Sequence, residues 1–238
     1  MELRDSLVTI DPVVECREVT RRFRTARTET VALDEVTVSC LPASITVVAG
    51  ASGSGKSTLL AMIAALDRPD AGLVLVDGHD VAALSRRRRR ALRAERVTTV
   101  LPQPSDNLFD HLDAVGNLRW SDAAARRRRG ATRPEAELDT VAALAQVGLA
   151  ERSRHGVRQL SGGEQQRLAI ACALASGTPV LAADEPTASL DRRNADSVIA
   201  ALLHAAGTGR CVVVATHDPD VVAVADQVVW LDHGRRVA

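Results

Sequence analysis

Nine consecutive residues, Gly50-Ala51-Ser52-Gly53-Ser54-Gly55-Lys56-Ser57-Thr58, carry the plainest chemistry in the chain. They fit G-x-x-x-x-G-K-[ST], a loop whose backbone N–H groups converge on phosphate oxygens. Glycine at 50, 53 and 55 permits backbone angles that side chains forbid. The N-terminus of the helix beyond adds a favourable partial charge. Lys56 is then set to reach the β- and γ-phosphates, and the Ser57 hydroxyl to ligate Mg²⁺. Composition singles out the same residue: of thirty basic residues, Lys56 is the one lysine and the rest are arginine. A compact ammonium on a flexible stem does here what a planar guanidinium cannot. The competing reading is a Gly/Ser-rich turn with an accidental lysine. It must explain an eight-residue match, Gly50 to Ser57, set between an apolar strand at 45–49 and an apolar helix at 59–65. The pattern implies a nucleoside triphosphate ligand.

Residues 179–185, Pro-Val-Leu-Ala-Ala-Asp-Glu, form an apolar strand ending in two acids. A buried parallel strand delivers its last side chains to the sheet edge where the phosphate loop lies. Asp184 is placed to hold Mg²⁺, through water, and Glu185 to act as general base on an attacking water. The rival reading is an acid pair that caps the next turn. Residues 160–167, Leu-Ser-Gly-Gly-Glu-Gln-Gln-Arg, offer the Ser161 hydroxyl and bare N–H groups of Gly162 and Gly163 at the mouth of a helix starting near Glu164. That is a second anion cradle; its bland alternative is an ordinary serine N-cap followed by a flexible glycine pair.

Leu-Ser-Gly-Gly-Glu-Gln-Gln-Arg, lying between the phosphate loop and the Asp-Glu strand, resembles the signature of ATP-binding cassette proteins. The resemblance runs from about residue 13 to 237. It implies further roles. Phe23 matches the aromatic that stacks on adenine, where tyrosine is more usual; the chain has no tyrosine. Gln103 matches the glutamine that touches Mg²⁺ and the attacking water and senses a membrane partner. Ser189-Leu190-Asp191 matches the loop between paired cassettes, with Asp191 near the nucleotide. His217, in the strand end Ala-Thr-His-Asp, matches the histidine that contacts the γ-phosphate. The resemblance also implies ATP with Mg²⁺, and two cassettes facing head-to-tail so that each ATP lies between one phosphate loop and the other's Ser161, Gly162 and Gly163. A separate transmembrane permease would then dock near 103–118. The stretches at 63–72 and 183–191 look most like the lipoprotein-release and macrolide-export subgroup. Ala43-Ser44, the 155–157 segment and Cys172 depart from the family pattern, without touching an expected catalytic side chain.

Elements that must hold these residues follow from pattern. Strands are expected at 13–19, 31–41, 45–49, 73–76, 97–101, 179–183, 211–216 and 227–231, with Ala/Leu/Arg/Glu-rich helical stretches over 107–160. The fold class is α/β: a phosphate-loop NTPase core with an N-terminal antiparallel β part and an inserted helical signature subdomain. One domain covers 1–238, its core at 1–103 and 178–238 and its helical subdomain at 104–177.

The formal net charge is zero, and the arginine runs at 86–90 and 126–129 carry no interleaved aromatics. Both read as solvated helix faces or loops, with no nucleic-acid partner. Cys16, Cys40, Cys172 and Cys211 lack metal or disulfide spacing and read as buried apolar residues of a reducing compartment. No signal-like start and no membrane-length apolar run is evident. The expected location is cytoplasmic, at the inner membrane face through the permease. Two other classes compete. A soluble cassette ATPase not coupled to transport usually carries two cassettes or a long coiled coil. The other is a different phosphate-loop class, such as a small kinase or GTPase; a guanine-reading Asn-Lys-x-Asp motif is impossible with Lys56 as the sole lysine, and the signature segment has no place in a kinase.

Overall fold

The computed structural model describes residues 10–25, 28–128, 138–188 and 190–237. Ser189, expected in the inter-cassette loop, and the end of the 126–129 arginine run lie outside them.

Two sheets are built from the strands. β1 (Val14–Arg24) and β2 (Glu29–Cys40) form an antiparallel hairpin. β2 turns Val36, Val38 and Cys40 into the core on an alternating pattern, as a strand with one buried face must, and Leu33 joins them across an irregularity at Glu35, where φ is +53°. β3 (Ser44–Ala49) leads into α1 (Lys56–Ile63), and β4 (Ala71–Val76) with the short β5 (His79–Asp80) completes a four-stranded sheet of order β2-β1-β4-β5. α2 (Arg86–Arg96) precedes β6 (Val97–Val100). The helical stretch follows: α3 (Ala114–Arg128), α4 (Thr140–Gln146) and α5 (Gly162–Ala175). β7 (Val180–Asp184), α6 (Arg192–Gly207), β8 (Cys211–Thr216), α7 (Pro219–Ala223), β9 (Gln227–Asp232) and β10 (Arg235–Arg236) close the chain.

The larger sheet runs β10-β9-β3-β8-β7-β6, and β9, β3, β8, β7 and β6 are parallel. β7 and β8 are buried along their whole length, the mark of a parallel strand covered on both faces. Their side chains divide by alternation between two core layers. Leu181, Ala183, Val212 and Val214 pack with α5 and α6 residues such as Leu168 and Leu202. Val180, Ala182, Val213 and Ala215 pack with α1 residues such as Leu59 and Met62, and with the antiparallel sheet. All four cysteines are buried and free, and three of them, Cys16, Cys40 and Cys211, share the second layer.

Some elements differ from the expectations above. β1 continues to Arg24, past the expected end at 19, because its arginines pair across the hairpin with residues 29–33 of β2. The 86–90 arginines belong to an eleven-residue helix capped by Ser85, whose Oγ accepts from Arg88 N–H. α5 begins at Gly162, not near Glu164. Ser161 Oγ accepts from Glu164 N–H while the Glu164 carboxylate accepts from Ser161 N–H, and this capping box draws both glycines into the first turn.

Candidate nucleotide site

The phosphate loop joins the end of β3 to the start of α1, and close approaches require glycine at 50 and 55. A Cβ on Gly50 would lie 2.3 Å from Leu231 O, and one on Gly55 2.4 Å from Ala32 O. Gly55 also has φ +106° as the N-cap of α1, a conformation side chains rarely adopt. Lys56 is buried. Its Nζ donates to Gly50 O at 2.9 Å and Ala51 O at 3.0 Å, and stands 3.8 Å from Glu185 Oε1. A cleft of about 510 Å³ lies over the loop. Ala51, Ser52, Gly53, Gly55, Lys56, Ser57 and Thr58 line it from below, with Glu185, Ala188 and His217 beside them and Thr30, Val31 and Ala32 of β2 across. Gly50 and Ser54 sit behind the lining: Ser54 is buried, and its carbonyl accepts from Gly234 N–H at 3.0 Å.

Asp184 and Glu185 end β7 with different surroundings. Asp184 is buried and its Oδ1 has no hydrogen-bond partner. Burial pushes its carboxyl above the ordinary range, while a hydrogen bond with the Ser57 hydroxyl pulls the other way. An orphaned, buried carboxylate oxygen beside a serine hydroxyl is a donor set suited to a hard cation. Among the described residues no cluster of three or more His, Cys, Asp or Glu could hold a metal by itself. Mg²⁺ fits this pattern, since it takes one or two carboxylates together with phosphate oxygens and water.

Glu185 has φ +46°, a strained setting for a residue with a side chain. Its N–H donates to Ala215 O at 2.8 Å, which anchors the turn to β8. Its Oε2 accepts from the Thr216 hydroxyl at 2.9 Å, and His217 Nδ1 lies 3.0 Å from Oε1. The Thr216 oxygen accepts in turn from Asp218 N–H at 3.1 Å, and Asp218 accepts from the Thr187 hydroxyl at 2.6 Å. Thr187, Thr216 and Asp218 were missed in the sequence, as were the cleft residues of β2. Only the run Ala-Thr-His-Asp hinted at the first group.

The remaining expected residues stand elsewhere in the chain. None of Phe23, Gln103, Ser161, Gly162, Gly163 or Asp191 lines the cleft. Phe23 sits opposite Thr30 on the hairpin. Gln103 precedes a short 3₁₀ turn, Pro104–Asn107, at the exit from β6. Asn107 binds that exit with its side chain: Oδ1 accepts from Leu101 N–H at 2.8 Å, and Nδ2 donates to Leu101 O and Gln103 O, each at 3.0 Å. Ser161 caps α5, as in the bland alternative, yet Gly162 faces open space where a Cβ would meet nothing. Arg167 braces the same turn, with Nη1 on Val147 O at 3.0 Å. Asp191 caps α6, accepting from Asn194 N–H at 2.9 Å.

Residues 33–188 match the family model described as ABC transporter. The macrolide export ATP-binding/permease protein MacB 2 of Aeromonas hydrophila is 35% identical over 225 residues, covering 94% of this chain and 34% of that protein. The chain thus spans about a third of the length of the curated relatives it matches. The dimeric ATP-binding cassette MJ0796, solved in a post-hydrolysis state with ADP and Pi, superimposes with a TM-score of 0.83. It is 30% identical, and the match covers 94% of this chain and 97% of that one. cbiO1 of Clostridium perfringens, part of the ABC transporter complex cbiONQ, gives a TM-score of 0.77 at 25% identity, over 96% of this chain and 88% of that one. With the phosphate loop, the paired acids and the signature turn set in this fold, the chain belongs to the ABC transporter family as an ATP-binding domain.

Proposed function

We propose that this cassette hydrolyses ATP as one half of a head-to-tail pair and drives a membrane permease with the cycle. The observation that carries the reading is a separation: the loop, Glu185 and His217 share one cleft, with Asp184 bonded to the cleft residue Ser57, while Ser161, Gly162 and Gly163 lie outside it. Two anion cradles that one chain does not join suit a nucleotide enclosed by two chains. The γ-phosphate then satisfies donors from both, so ATP closes the pair and loss of phosphate reopens it.

In that pair the chain's own groups divide the work. The loop N–H groups and Lys56 take the phosphate oxygens, for which Lys56 exchanges its two loop carbonyls. Asp184 and Ser57, with Gln103, would hold Mg²⁺, which supplies charge neutralisation at the phosphates. Glu185 orients and polarises the attacking water, with Thr216 fixing one carboxylate oxygen. His217, hydrogen-bonded to the other, is set at the γ-phosphate. Phe23 stacks on the base, and Asp191 helps join the cassettes.

The docking face we assign to 103–118 borders a groove lined by Asp106 and Asn107 together with Leu66, Trp120 and Cys172. Leu66 and Trp120 are 49% and 54% exposed, an apolar floor for a permease segment. No helix among the described residues is long and apolar enough to cross a membrane. We place the permease on a separate subunit, holding the cassette at the cytoplasmic face. The macrolide-export names of the relatives make export the reading for direction. Sedimentation of the chain with ATP tests the pairing: a dimer is expected, lost on Gly163→Asp, and a strictly monomeric chain with full ATPase activity would refute it. Co-purification of a second, multi-span chain tests the permease assignment.

A further inference from the structure

We infer that Arg21 is a positioning residue that holds Phe23 as a stacking platform for a purine base. The inference rests on the reading of Phe23 as the base-stacking ring and adds what prepares that ring. Phe23 and Thr30 are cross-strand partners in the β1–β2 hairpin, so their side chains share one face of the sheet. Thr30 lines the nucleotide cleft. The phenyl ring therefore stands at the rim of the cleft, 44% exposed.

An aromatic ring this exposed has little packing to hold it. Here one of its faces is covered: the Arg21 guanidinium carbon lies 4.8 Å from the ring centroid. That guanidinium is itself pinned. Nη1 donates to Asp70 Oδ1 at 3.0 Å, and Nη2 lies 2.9 Å from Asp67 Oδ2. Its Nε is buried without a hydrogen-bond partner, a sign that the guanidinium is placed for the ring and the two carboxylates together. Asp70 also accepts from Arg22 N–H at 2.7 Å, and its own N–H donates to Thr20 O at 2.9 Å. The turn carrying both acids thus grips β1 on either side of Arg21. β1 shifts register between Val19 and Arg21 and again between Arg21 and Arg22, irregularities of the kind that re-aim a side chain. The acids belong to the 63–72 stretch, which the sequence tied only to a subgroup and which here acquires a task.

The arrangement leaves the opposite face of the ring for a base, giving layers of carboxylates, guanidinium, phenyl and purine. A ring fixed beforehand loses less freedom when a base settles on it. A cation–π contact at an exposed site is worth roughly a two- to fivefold change in an equilibrium.

The test is titration of the full chain with ATP and, separately, with inorganic tripolyphosphate, alongside steady-state ATPase kinetics. Arg21→Met and the double variant Asp67→Asn/Asp70→Asn are each expected to weaken ATP binding by about two- to fivefold. Tripolyphosphate binding and kcat should hold, and Arg21→Lys should restore part of the loss. Equal weakening of ATP and tripolyphosphate, a fall in kcat, or no change overturns the inference. Phe23→Ala separates the two readings. If it leaves ATP affinity intact, the ring is not the base platform; if it weakens ATP while Arg21→Met does not, only the role of Arg21 falls.

Discussion

Replacing Glu185 with glutamine removes the proposed base and little else. The side chain keeps its length and the backbone its φ of +46°. An amide oxygen can still accept the Thr216 hydroxyl, which now lies 2.9 Å from Oε2. What disappears is negative charge, 3.0 Å from His217 Nδ1 and 3.8 Å from the Lys56 ammonium. At that second distance, with an effective dielectric near 20, the Coulomb attraction is on the order of 4 kcal/mol. Most of it is offset, because Lys56 keeps its two loop carbonyls and Glu185 is 21% exposed to water. The fold should lose about 1 kcal/mol. A positioned base contributes ~10²–10⁴ in rate, or roughly 3–5 kcal/mol of barrier. The two magnitudes separate in assay. Phosphate release should fall by ~10²–10⁴, the denaturation midpoint should move slightly, and ATP affinity should hold. Sedimentation with ATP and Mg²⁺ should show a pair that no longer reopens. Turnover within about tenfold of the wild type, below the smallest effect of a base, would refute the assignment. Parallel loss of binding and turnover would make Glu185 a binding residue instead.

Burial raises the Asp184 carboxyl, so the folded chain holds that proton more tightly than the unfolded chain. The stability it contributes is complete below about pH 4 and is lost as pH rises through the raised value. Mg²⁺ needs the carboxylate, so Mg²⁺-dependent ATP binding should strengthen with pH over the same window, and Asp184→Asn should flatten that profile in a titration series. Gly53→Ala and Gly55→Ala each place a side chain at positive φ, costing ~1–2 kcal/mol. Only the second meets backbone, at Ala32 O, so Gly55→Ala should unfold at clearly lower denaturant and bind ATP far more weakly; equal effects would contradict the role given to that contact. Asn107→Ala removes four side-chain hydrogen bonds from the exit of β6 and should raise amide exchange at Leu101, whose N–H loses its acceptor.

The parts of the site legible in the sequence are those made within a few residues. A strand, three glycines, a lysine and a helix specify the phosphate loop locally, and β7 announces itself because a strand buried on both faces is apolar throughout. The network around Glu185 was not legible, since Thr216 and Asp218 reach it from the next parallel strand and only tertiary structure sets that distance. α2 was ambiguous for another reason: five successive arginines carry no apolar periodicity, and Leu92 is its one buried residue. The signature turn, read as an anion cradle with an ordinary N-cap as the alternative, does cap its helix through Ser161, and that helix starts two residues earlier than expected, taking both glycines into its first turn. Phe23 could be placed by resemblance. The acids that secure its neighbour lie far along the chain, and no local pattern connects them to it.

Asn107 has a mechanical consequence. The covalent route from the parallel sheet into the helical stretch leaves at Leu101, and that exit is stitched to its own 3₁₀ turn by one amide side chain. In the complex we propose, a push at the Trp120 groove, which Asn107 also lines, would have this stitched exit as its route toward Gln103 and the sheet edge that carries the phosphate loop.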